Sequence, residues 1–159
     1  MGQQSLAIYL RNHGAAALAG RDLFRRTAAS QRDRPYGGEL AELAAEVEED
    51  CETLHAIMRA AGVTPDLVSG LVLRLGERVG RLKPNGRLLG RAPLSDLIEV
   101  EALLTAVRAK AAGWQALSQC PAPEWSETAD TEVLYQRALD QAERLSEIHR
   151  SVAARVFTA

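Results

Sequence analysis

The sequence predicts an all-α fold, a single domain over residues 1–159 built from four long helices with a long helical link between the second and the third. Three observations carry that prediction. Aromatics make up only 4% of the chain, so Leu, Val and Ala must supply the core. Its Ala, Leu, Glu and Arg favour helices, whereas sheets draw on β-branched and aromatic residues. Apolar residues recur at spacings of three and four through several long stretches, which is the pattern of a one-sided helix. The connections also have a rhythm: a short turn, a link of roughly thirty residues, and another short turn. With 159 residues, 47% of them apolar, the chain is long enough to bury one core.

The first long helix is expected from about Gln4 to Ala29, with Leu6, Leu10, His13, Ala17, Gly20, Phe24 and Thr27 on one stripe. Gly14, Ala15, Ala16, Ala17 and Gly20 are small. They admit close approach by another backbone or leave room for a ligand, and close packing is the expected outcome because empty core volume is costly. Pro35, Gly37 and Gly38 mark a turn. The second helix follows from about Glu39 to Ala61, burying Leu40, Leu43, Val47, Cys51, Leu54 and Met58. Its other faces carry Glu39, Glu42, Glu46, Glu48, Glu49, Asp50 and Glu52, and Gly62 is placed to cap its C-terminus.

Thr64-Pro65-Asp66 reads as an N-cap, a first-turn proline and a first-turn acid. It opens a link helix to about Leu82, with Leu67, Leu71, Leu75, Val79 and Leu82 as its stripe, stopped by Pro84-Asn85-Gly86. Ser95 is the best N-cap for the third long helix, which runs to about Leu117 with Leu97, Val100, Leu104, Val107, Ala111 and Trp114 inward. Pro121 and Pro123 mark the last turn. The final helix spans about Thr128 to Phe157, inward through Leu134, Ala138, Leu145, His149, Val152 and Val156.

Composition narrows the function classes. A net charge of −2 supplies no global attraction to nucleic acid or anionic membrane. No apolar run approaches a membrane span. Gly2 hints at myristoylation, but Leu6 stands where Ser or Thr is wanted, and the opening residues lack the layout of a signal peptide. A cytoplasmic protein is expected. The two cysteines, Cys51 and Cys120, make no disulfide framework or metal cluster; Cys51 stands four residues before His55, and on the apolar stripe an inert core thiol is expected. Phosphate-loop, dinucleotide-binding and nucleophile-elbow motifs are absent. His13 and His149 both fall on inner stripes, where each is expected to be buried, neutral and hydrogen-bonded, with shared metal ligation as the functional reading. Arg74, Arg78, Arg81, Lys83, Arg87 and Arg91 stand against Glu77 alone. This patch is a candidate anion or nucleic-acid site, but no stacking aromatics are interleaved. Pairing with the acidic second helix, within the chain or between subunits, is the simpler expectation, so nucleic-acid binding is not expected.

In helix order, helix lengths and crossover position the chain resembles the ferritin-like superfamily, whose bundles carry one long crossover. Glu46-Val47-Glu48-Glu49-Asp50, Gly80-Arg81-Leu82-Lys83-Pro84-Asn85-Gly86-Arg87-Leu88 and Pro93-Leu94-Ser95 also resemble a group of actinobacterial helical proteins, a likeness that implies a fold and no particular activity. The superfamily resemblance implies a place to look for metal ligands: a Glu from each of two helices and a Glu-x-x-His from each of the other two. Glu52 to His55 is one such match, Glu99 and Glu101 lie on the third long helix, and Glu143 on the last has Ser146 three residues on, with His149 six residues on. The first helix has no glutamate, and Glu52 aligns with Glu48 and Arg59 on an outward row. The expectation is a non-catalytic binding or assembly module with a degenerate metal site, homodimeric by fold analogy. The alternative is a metal carrier or oxidase holding iron or manganese on Glu52, His55, Glu101, Glu143 and His149; anion binding through the basic link is a weaker third.

Overall fold

The computed structural model describes residues 2–64, 93–120 and 125–158, and among them there are four α-helices and no strand. These are α1 (Gly2–Ser30), α2 (Gly37–Ala60), α3 (Pro93–Ser118) and α4 (Thr131–Thr158). At 1.5 Å per residue, α2 is about 36 Å long and the others somewhat longer. None of them is long and apolar enough to cross a membrane. The expected link helix from Pro65 to Leu82 lies outside the described residues, as do the basic positions from Arg74 to Arg91.

The turn between α1 and α2 depends on Gly37. A Cβ there would stand 2.3 Å from the carbonyl oxygen of Arg32, so only glycine lets the chain fold back this tightly. The other end of α2 closes as the sequence leads one to expect. Gly62 takes φ +66, its N–H donates to the Arg59 carbonyl at 3.1 Å, and the Val63 N–H donates to the Met58 carbonyl at 2.8 Å. This pair of bonds is the Schellman closure, and Val63 is buried against the same core as Met58. The third long helix differs from the reading that Ser95 caps it. α3 begins at Pro93, where a missing N–H costs nothing, and Ser95 lies inside its first turn. α4 starts at Thr131, with the Asp130 carboxylate accepting from the Glu132 and Val133 N–H groups at 2.9 and 3.2 Å.

Two core clusters fix the directions of the helices. One joins Phe24 near the end of α1 to Leu40, Leu43 and Val47 early in α2, Leu97 to Val107 early in α3, and Leu145, Ile148 and Val152 late in α4. The other joins Leu10 early in α1 to Leu54 and Met58, then Ala111 and Trp114, then Leu134 and Ala138. Hence α1 and α2 are antiparallel, α3 and α4 are antiparallel, and α2 and α3 run the same way. The chain leaves α2 at one end of the bundle and enters α3 at the other. Trp125, 1% exposed, seals the end that holds Leu10. At the opposite end Tyr36 donates to the Gln31 Oε1 at 2.8 Å, Gln31 Nε2 donates to Glu99 at 2.9 Å, and buried Asp96 takes Arg34 at 2.8 Å. That knot ties the first turn to α3.

The inner face of α4 departs from expectation in one respect. Gln141 and Ile148 are buried, whereas His149 is half-buried at the seam with α3 and hydrogen-bonds Glu101. The stripe drifts around a straight helix, and Ile148 takes the core position assigned to the histidine.

Candidate functional site

The four helices do not fill their own centre uniformly. α1 presents Ala16, Ala17 and Gly20, and α3 presents Ala102, Ala106 and Ala109, on either side of a half-open groove of about 500 Å³. Residues this small cannot span the gap between two helices, and a Cβ placed on Gly20 would meet nothing within 4 Å. The close packing expected of these residues occurs one turn earlier, at Gly14, where a Cβ would stand 2.8 Å from the Met58 sulfur. That contact is with α2, so the groove opens along the other side of α1, the side facing α3. Its floor comes from α2 through Val47, Asp50, Cys51 and Leu54. Near Gly113 the walls converge: the His13 ring stands 2.9 Å from where a Gly113 Cβ would be, and lies tilted at 44° against Tyr9 with centroids 4.4 Å apart.

On that floor lies a buried ion pair. Asp50 is 2% exposed, and the Lys110 ammonium of α3 donates to its Oδ2 and to Oε1 of Gln141 on α4. Gln141 Nε2 in turn donates to Glu46 at 2.9 Å and to Asp50 at 3.3 Å. The second carboxylate oxygen of Asp50 has no hydrogen bond, but the Arg137 guanidinium stands 3.5 Å away. Burial pushes the Lys110 pKa down and Asp50 opposes the shift; burial prevails. Three helices thus meet through Asp50, Lys110 and Gln141 at the bundle's centre.

From there a charged ladder runs outward between α2 and α4. Arg144 binds Glu46 at 2.6 Å and also Glu39, with Glu42 and Asp140 at 3.5 and 3.6 Å. Arg137 binds Glu49 at 2.7 Å. Burial alone would lower the Arg144 guanidinium, yet hydrogen bonds with Glu46 and Glu39 leave it raised. Burial likewise would raise Glu46, and Arg144 and Gln141 hold it below the usual carboxylate range. Glu48 is met from α1, by Arg25 at 2.5 Å and Arg21 at 3.8 Å. Within the described residues, then, Glu39, Glu42, Glu46, Glu48, Glu49 and Asp50 of α2 find cations on α1, α3 and α4.

The residues singled out for metal are distributed differently. Glu101 and His149 are brought together, 3.0 Å apart across the α3–α4 seam. Glu52 is exposed on α2. His55 is half-buried, its Nε2 without a hydrogen-bond partner, and burial together with Arg59 and Arg21 lowers its pKa. Glu143 faces solvent beside Arg150 at 3.5 Å. No three of the His, Cys, Asp and Glu side chains among the described residues converge as a metal site. Burial pushes the Cys51 thiol up, in keeping with a core thiol.

Asp50 corrects the sequence reading, which put it with the acids on the outer faces of α2. Neither Gln141 nor Lys110 was read as a site residue. A signal for all three was present. Each stands three residues after one apolar core position and four before the next: Val47-Asp50-Leu54, Val107-Lys110-Trp114 and Ala138-Gln141-Leu145. A polar residue at that phase faces inward whatever its charge. No family model, curated protein or solved structure matches the chain.

Proposed function

We propose that this chain is a non-catalytic binding module of ferritin-like topology that holds a small apolar molecule in the groove between α1 and α3. The observation that carries the reading is the groove itself: about 500 Å³ of space, within the range of small-molecule sites, apolar on its walls with a few polar groups at its base. The parallel α2 and α3 support the ferritin-like topology, because helices running the same way need one long return. The polar groups support binding over chemistry. Lys110 is engaged by Asp50 and Gln141, and Cys51 is held protonated by burial. A bundle that neutralises its buried carboxylate with its own lysine also has no charge left at Asp50 for a metal ion to balance.

The test is a titration with Nile red, a neutral apolar dye, alongside the particle mass in solution. Saturable one-to-one binding is expected, lost in Ala17→Phe and in Ala106→Phe while helicity is retained. Absence of saturable binding to the unaltered chain would overturn the proposal, as would binding unchanged in both variants. A dimer that excludes the dye would assign the groove to a second copy instead.

A further inference from the structure

We propose that His13 makes occupancy of the groove depend on pH: the neutral ring completes an apolar end wall, and the protonated ring expels an uncharged occupant. This rests on the groove being a ligand site. Along α1 the groove is lined from His13 to Arg26, and along α3 from Ala102 to Leu117. The two helices are antiparallel, so the His13 end lies against Gly113, Trp114 and Leu117, while Asp22 and Arg26 border the end near Ala102 and Thr105. The two ends differ in what surrounds a charge. Asp22 and Arg26 are exposed, and water solvates them. His13 is half-buried among apolar walls. Its ring is held between Tyr9, with centroids 4.4 Å apart, and the Gly113 backbone, where a Cβ would stand 2.9 Å from Nδ1 and from Cε1. Wedged in this way, the ring has to carry any charge where it stands.

The titratable groups around His13 supply no counter-ion among the described residues. On its own helix Tyr9 stays protonated, its phenol raised by burial first and by Cys120 second. From α2 come Cys51, whose thiol burial also raises, and Asp50, whose carboxylate already faces Lys110 and Arg137. From α3 comes Lys110, itself a cation. The acid that α1 places on the groove is Asp22, about 14 Å along the helix from His13 and bound to Arg21 at 3.0 Å. Burial alone accordingly lowers the His13 pKa, with no contribution from a neighbouring charge. An uncharged occupant lying against the ring displaces water that would solvate an imidazolium, so the filled groove penalises the charged form more than the empty one does. The empty form therefore takes up its proton at a higher pH than the filled form. Affinity is complete above the His13 pKa of the empty groove and falls as the pH drops below it. Burial places that pKa below the ordinary histidine value of about 6.5, so affinity holds at neutral pH and declines under mildly acid conditions.

The experiment titrates Nile red into the full chain at about pH 7.5 and at about pH 5, on either side of the ordinary histidine value. The dissociation constant is expected to rise about threefold or more at the lower pH. His13→Gln, uncharged at both, should bind the dye at about pH 7.5 and lose that dependence. His55→Gln, outside the lining of the groove, should keep it. A second readout uses the unaltered chain: NMR titration of the histidine ring protons, with and without saturating dye. The His13 midpoint should move down on binding, and that of His149, at the α3–α4 seam, should stay. Equal affinity at the two pH values, a dependence unchanged in His13→Gln, or a His13 midpoint unmoved by the dye each overturns the role of His13 while the groove reading survives. Failure of the dye to bind at about pH 7.5 overturns the groove reading and this inference with it.

Discussion

The α1–α3 and α2–α4 seams are both antiparallel edges of one bundle, and they are filled in opposite ways. Between α2 and α4 the gap is spanned by the longest side chains available: Arg137 and Arg144 reach from α4 to Glu39, Glu46 and Glu49, and Gln141 reaches inward to Asp50. Between α1 and α3 the same role falls to alanine and glycine, and space remains. The comparison shows that the fold does not dictate whether a seam is closed. Side-chain length does, once the hairpins α1–α2 and α3–α4 and the two core clusters have set how far apart the helices stand. The Asp50–Lys110 pair lies where the two seams meet, with one partner in the charged ladder and the other at the base of the groove.

Breaking that junction should produce the largest effect. Asp50→Ala leaves the Lys110 ammonium buried without its counter-ion and is expected to lower stability by about 3 kcal/mol in urea denaturation, the usual scale for orphaning one member of a buried pair. Replacing both, Asp50→Leu with Lys110→Met, should recover most of the loss, since no charge is then buried alone. A double variant as unstable as the single one would mean that Asp50 acts through something other than Lys110. On the charged seam, Arg144→Ala removes the hub of four carboxylates and is expected to cost about 1–2 kcal/mol. Added salt should narrow that difference, because the residual repulsion among Glu39, Glu42 and Glu46 is screened.

The open seam should respond with the other sign. Gly20→Ala adds a methyl group where a Cβ meets nothing within 4 Å, so the helix-propensity gain of about 0.5–1 kcal/mol is expected in full. A loss of stability there, measured by thermal melting, would show that the groove is narrower in solution. The smallest effect concerns pH. Burial lowers the pKa of His13 and of His55, the latter with help from Arg59 and Arg21, so the unfolded chain takes up protons that the folded chain refuses. Stability from these groups is complete above the ordinary histidine value of about 6.5 and declines as the pH falls below it. The melting temperature should therefore drop between about pH 7.5 and about pH 5.5, and drop less in a His13→Gln, His55→Gln variant. Glu46, whose folded pKa is lowered, holds its contribution through that window and loses it only at more acid pH.

Much of the architecture was legible before any coordinates. Leu40, Leu43, Val47, Leu54 and Met58 announced α2 by their spacing, and Gly62 announced its end, because helical period and left-handed glycine are properties of the local chain. Ser95 was read as the cap of α3 but lies within the helix, since Pro93 and Ser95 are both good helix openers and only the surroundings choose. The site was less legible. Asp50 stands in a run of acids, and its charge suggested an outward face although its phase between Val47 and Leu54 pointed inward. His149 stood at a drifting edge of its stripe, where one residue separates core from seam. Ala16, Ala17 and Gly20 were seen to be small, but smallness is equally consistent with contact and with a gap.

What the residues alone determined was local and periodic: which stretches are helical, which face is apolar, and where glycine must end a helix. Those features depend on neighbours within a few positions along the chain. Tertiary structure alone decided that Lys110 would come from α3 to neutralise Asp50 on α2, and that Gly14 would be tightly packed while Gly20, on the same helix, would border open space. Both outcomes depend on the distance between helices far apart in sequence, and that distance is set by every side chain in the bundle at once.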